Sequence, residues 1–170
     1  MIPMVTFILP GWSVKNKEWL EETAMALKVE GFVRPIFWEH WKDESQNFDA
    51  KEKATLISRH TKGDTINIVA KSIGILVAAH IIEQVPAQIH KVIICGIPLH
   101  DTSPQEHAII KRAIGSLDEK KLICLQNVDD PHASFAEVKK FLPHGVNLIS
   151  EPRSDHNYPY YTEFNKFLSG

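Results

Sequence analysis

The chain has 170 residues, 44% apolar and 24% charged, with a formal net charge of −2, a balance that fits one globular domain over residues 1–170. This length can bury a core without disulfides or metals. No lysine-arginine cluster stands out, so a dedicated nucleic-acid surface is excluded, because neutralising phosphates takes grouped positive charge.

In chain order, short apolar runs alternate with amphipathic stretches. Runs at 5–9, 33–38, 66–70, 92–95, 122–125 and 146–149 read as six strands. Most are continuously apolar and rich in β-branched residues, as parallel strands covered on both faces should be. Cys95 and Cys124 fall inside two of these runs and read as buried thiols, with no CxxC spacing for metal or redox work. The N-terminal run lacks the basic flank of a signal peptide, and no run approaches the roughly 20 residues of a membrane span. A cytoplasmic protein with no membrane partner is therefore expected.

Between the strands, 17–28 repeats Trp19, Leu20, Ala24 and Leu27 on one helical face, with Gly31 as a stop. Residues 49–60 and 73–85 read as two further helices. The latter is apolar nearly all round and should be the most buried. Ser103-Pro104-Gln105-Glu106 and Ser134-Phe135-Ala136-Glu137 match the capping box, and a last helix is expected over 159–168. Six β-α repeats with right-handed crossovers predict an α/β protein of three αβα layers around an open six-stranded parallel sheet. Ligands bind such sheets beyond the carboxyl ends of the strands, so function belongs in the loops that follow them.

Three chemically competent groups fall in those loops. Ser72 lies in Ala70-Lys71-Ser72-Ile73-Gly74, between the third strand and the buried helix. A strained nucleophile turn needs small residues two before and two after the serine. Asp130, before Pro131, follows the fifth strand, with Asp129 and, further off, Asp101 as rivals. His156 follows the sixth strand and is favoured over His132 and His144 among nine histidines. The loop after the first strand, Pro10-Gly11-Trp12, adds a backbone N–H at Trp12. Together with that of Ile73 it would form an oxyanion hole.

Pro10-Gly11-Trp12, Ala70-Lys71-Ser72-Ile73-Gly74, Asp130-Pro131 and His156, in this order, resemble the α/β-hydrolase superfamily, in particular its short bacterial members without a cap domain. The resemblance implies strand order 2-1-3-4-5-6, a Ser72-Asp130-His156 triad, and cleavage of a small ester or related acyl bond through an acyl-enzyme. Its implied partner is a small acyl substrate, with no cofactor and no metal. Activity would rise as His156 loses its proton, between roughly pH 6 and 8. Pro10 stands where many members have His. Lys71 stands where many have His or another polar residue; it either reaches solvent, pairs with an acid, or selects an anionic substrate.

The segment Phe37-Trp38-Glu39-His40-Trp41, together with Tyr158, would either wall a substrate pocket or serve as core and rim. A non-catalytic binding protein of the same fold is the principal alternative. A phosphate-binding loop is disfavoured because the strand before Lys71-Ser72 has no glycines, and no HExxH-like spacing suggests a metalloenzyme.

Overall fold

The computed structural model describes residues 2–170. Its sheet has six parallel strands: β1 (Met4–Leu9), β2 (Phe32–Pro35), β3 (Thr65–Lys71), β4 (Ile89–Cys95), β5 (Leu122–Asn127) and β6 (Leu148–Glu151), in the order β2-β1-β3-β4-β5-β6. Six helices connect and follow them: α1 (Asn16–Ala26), α2 (Ala50–Arg59), α3 (Gly74–Gln84), α4 (Pro104–Gly115), α5 (Phe135–Phe141) and α6 (Tyr161–Ser169). No helix among the described residues is long and apolar enough to cross a membrane.

Alternation along the strands divides the core into two layers. Phe7, Leu9, Ile68, Ala70 and Ile94 face α2, α3, α4 and α5. Ile8, Val69, Ile93, Cys95 and Leu125 face α1 and α6 through Trp19, Leu20, Phe164 and Leu168. Helices thus cover both faces, and β1, β3, β4 and β5 are almost wholly buried. Both capping boxes form: Ser103 accepts from the Glu106 N–H and Ser134 from the Glu137 N–H, with each glutamate answering the serine's own N–H.

The edge strands depart from the sequence reading. β2 spans four residues instead of 33–38, and alternate positions are exposed, as on an unprotected edge. Pro35 ends it; the next N–H, of Ile36, still reaches the Ile8 carbonyl at 3.0 Å before the chain turns away. β6 starts two residues later than expected, at Leu148, because Pro143 to Asn147 form the turn. α1 stops at Ala26, where Leu27 adopts extended geometry, and Gly31 belongs to the turn into β2 rather than to the helix end. α6 begins after Tyr160 instead of at Pro159.

One contact positions the site. A Cβ on Gly74 would lie 2.2 Å from the Leu9 carbonyl oxygen and 2.8 Å from that of Pro10, so only glycine lets α3 start this close to the end of β1. Gly74→Val is expected to lower the unfolding free energy by about 1–3 kcal/mol or more. Gly115→Ala, whose methyl group would meet only the Pro143 Cγ at 3.9 Å, is expected to cause no loss. Urea unfolding of both variants checks the pair.

Candidate active site

Ser72 occupies the turn between β3 and α3 with a φ of 56°, the one positive φ among the described non-glycine residues. Its N–H donates to the Cys95 carbonyl at 3.0 Å, continuing the sheet, while its own carbonyl accepts from the Ile75 N–H at 2.9 Å, starting the helix. One residue therefore ends a strand and opens a helix. The left-handed backbone is the cost of that reversal, about 1–3 kcal/mol.

His156 and Asp130 come from the loops after β6 and β5. The His156 Nδ1–H donates to Asp130 Oδ2 at 2.6 Å, with the carboxylate side chain fully buried. Asp130 also accepts from the Tyr158 hydroxyl at 2.5 Å and from the His132 N–H at 2.8 Å. Burial pushes its carboxyl up, but the hydrogen bonds from His156 and Tyr158, the His156 charge and the His132 N–H together hold it below the ordinary carboxylate value. Burial lowers the pKa of His156, and the Lys71 and His132 charges act in the same direction, against the hydrogen bond and charge of Asp130.

The His156 Nε2 is buried without a hydrogen-bond partner. A buried polar nitrogen left open costs about 1–3 kcal/mol, and such groups are kept where a ligand or a reaction uses them. His156 and Ser72 line the same cavity of about 420 Å³, with Trp12, Ile73, His132 and Asp101 among its walls.

Of the rivals, Asp129 is exposed, and Asp101 is bonded instead to the Nδ1 of His132, on the cavity rim. The His132 ring lies 4.1 Å from that of His156, centroid to centroid. His144 lies in the turn before β6, at the opposite end of the sheet.

The aromatic segment after β2 does not wall the cavity. Trp38 is buried, and its indole N–H is shared between the carbonyls of Pro10 and Gly11, both at 3.1 Å. The His40 Nε2–H and the Trp41 indole N–H donate to the Trp12 carbonyl at 2.6 and 2.8 Å. All three brace the loop after β1 from behind. Tyr158 is also buried, behind Asp130. Lys71 does not extend into bulk solvent and pairs with no acid: it is 6% exposed, and its ammonium donates to Asn16 Oδ1 at 2.7 Å.

Several positioning residues escaped the sequence reading. Asn127 donates to the carbonyls of Asp155 and Asn157, both at 2.8 Å, and accepts from the Tyr160 hydroxyl, pinning the His156 loop to β5. Gln126 ties the Ile97 N–H to the Ala133 carbonyl, joining the loops after β4 and β5. Buried polar residues at the end of an apolar strand were the available signal. Gly96, with a φ of +69°, leaves room for the His156 ring, whose Cε1 lies 2.9 Å from where its Cβ would be. Among the described residues, no group of three or more His, Cys, Asp or Glu side chains is arranged to hold a metal ion.

The sequence matches no protein-family model and no curated protein. Among solved structures, the chain is similar to a lidless α/β serine hydrolase from Xanthomonas campestris (15% identity, TM-score 0.67, 99% of this chain and 80% of that one covered). It is also similar to an α/β serine hydrolase homologue from Coxiella burnetii (16%, 0.68, 99% and 85%). A third is a pyrethroid hydrolase from Sphingobium faniae (10%, 0.66, 99% and 96%). The chain has the α/β-hydrolase fold.

Tyr158→Phe removes a donor to a buried carboxylate and is expected to cost about 1–3 kcal/mol at pH 7. The ionised, hydrogen-bonded Asp130 contributes stability above the unfolded carboxylate pKa and loses it as pH falls through its lowered folded value. The difference between variant and wild type should therefore narrow on acidification, as measured by urea unfolding at pH 7 and at successively lower pH.

Proposed function

We propose that the chain is a serine hydrolase that cleaves small, accessible esters through Ser72, His156 and Asp130. The observation that carries this reading is a strained, left-handed Ser72 sharing one cavity with an imidazole whose other nitrogen is bonded to a buried carboxylate. The likeness to serine hydrolases and a pyrethroid hydrolase supports the same class.

In this reading Ser72 Oγ attacks the acyl carbonyl while His156 Nε2 takes the hydroxyl proton. Asp130 holds the ring as the Nδ1–H tautomer and stabilises the imidazolium. The tetrahedral intermediate collapses as the imidazolium returns the proton to the leaving alkoxide. Water then attacks the acyl-enzyme with the same base, releasing the acid and free Ser72.

The oxyanion donors are the N–H groups of Ile73, at the start of α3, and Trp12. In a trans peptide the carbonyl and the following N–H point in opposite directions. With the Gly11 carbonyl tied to Trp38, the Trp12 N–H is directed to the other side of its peptide plane. Trp38 thus prepares this donor before substrate arrives, while His40 and Trp41 hold the next peptide through the Trp12 carbonyl.

A fluorophosphonate probe is expected to label the wild type and spare Ser72→Ala. Ser72→Ala and His156→Ala should lower kcat/KM for p-nitrophenyl acetate on the order of 10⁴-fold. Folded protein with neither labelling nor turnover would favour a binding role for the same fold. Because the folded pKa of His156 is lowered from 6.5, the base form persists to lower pH. The acid limb of kcat/KM should then have its midpoint below 6.5, with activity lost as pH falls through it.

A further inference from the structure

The charged group left over by this mechanism is Lys71. By strand alternation it shares a face with Val69, in the layer covered by α1 and α6. Its ammonium lies 5.5 Å from the Trp19 ring centroid and makes one hydrogen bond, to the amide oxygen of Asn16. An ammonium has three N–H donors, so two find no protein acceptor among the described residues.

No carboxylate among the described residues lies within ion-pair distance of Lys71. Of the acids nearby, Glu18 is exposed on α1 and three others are engaged elsewhere. Asp130 serves His156 and Tyr158, Asp155 is held by Arg153, and Glu22 accepts from the Tyr161 hydroxyl at 2.8 Å. Burial keeps the Cys95 thiol neutral, so it supplies no negative charge. A desolvated cation without an anion is unfavourable, and the pKa of Lys71 drops to about 8, chiefly from burial, which leaves it largely protonated at neutral pH.

A second cavity, of about 450 Å³, opens over Lys71 between Trp19 and Asn16, with Lys15 also on its wall. Ser13, Asn16 and His156 line both this cavity and the one that holds Ser72. We propose that the second cavity is the subsite for a carboxylate carried by the substrate, which pairs with Lys71 while the scissile carbonyl lies over Ser72. The inference rests on the hydrolase reading and names its substrate class: an ester whose acyl part ends in a carboxylate. Glu18 and Glu22 also border the cavity, but both project from exposed positions of α1, where water screens them more than it screens the buried ammonium.

The test compares mono-p-nitrophenyl glutarate with uncharged p-nitrophenyl valerate and with the ester of a trimethylammonium acid of similar length. For the wild type, kcat/KM is expected to favour the glutarate ester at least about tenfold over the valerate ester. That ratio should collapse towards one in Lys71→Met and be partly retained in Lys71→Arg, with thermal melts showing that both variants are folded. Equal rates on charged and neutral esters, a preference for the cationic ester, or an undiminished ratio in Lys71→Met would overturn the proposal. Should folded wild type turn over none of the esters, the hydrolase reading fails while the anion site is still decided by calorimetry with free glutarate. Binding to wild type and not to Lys71→Met supports the site; no binding to wild type overturns it.

Discussion

The backbone at Ser72 sets the geometry of everything around it. A chain leaving a parallel sheet for a helix on its face usually has several loop residues in which to turn. Here Ser72 is both the last rung of β3, through the Cys95 carbonyl, and the first acceptor of α3. The reversal is compressed into one left-handed residue. It is maintained because α3 is drawn against β1, with Gly74 under the Leu9 and Pro10 carbonyls. The same closeness brings the loop after β1 beside the serine, where the order of strands changes direction. The turn, the neighbouring loop and the crevice between them are one constraint seen from three sides.

Around that turn the polar groups form a connected frame. Asp130 is satisfied by His156, Tyr158 and a backbone N–H, so its charge is balanced where water is excluded. Asn127 and Gln126, at the end of β5, carry hydrogen bonds to the loops on either side. The end of β5 therefore acts as the post to which the acid, the base and the loop after β4 are fastened. The unpartnered His156 Nε2 stands out within an otherwise satisfied set.

Much of this was legible in the sequence. Continuous apolar runs marked the central strands, because burial on both faces leaves no polar alternation to mistake. Two Ser-x-x-Glu patterns marked helix starts, because their chemistry is local. The order Ser72, Asp130, His156, each after its own strand, placed all three at one edge of the sheet. What was not legible depends on contacts distant in sequence. Trp38, His40 and Trp41 sit in the loop that follows β2, and position alone suggested walls. Their N–H groups instead find carbonyls 27 to 29 residues away. Tyr158 reads as a rim aromatic until its hydroxyl is seen on Asp130. Lys71 read as a group that reaches solvent, pairs with an acid or selects an anionic substrate, and nothing in the neighbouring residues announces its bond to an asparagine 55 positions earlier. The second strand was read as too long because hydrophobicity continues past the point where Pro35 withdraws a donor.

The bracing of the loop after β1 by the segment after β2 has a dynamic consequence. β2 is the shortest kind of element in the sheet, four residues, half exposed, and paired along one side only. Elements with few buried contacts open in local fluctuations far smaller in free energy than global unfolding. When β2 frays, Trp38 stays buried in the core on the carbonyls of Pro10 and Gly11, whereas the half-buried Trp41 is the brace on the Trp12 carbonyl that loosens first. The outer part of the brace is thus only as persistent as an edge strand paired along one side. Such an opening leaves β3, β4 and β5 intact, because each is almost wholly buried and paired on both sides.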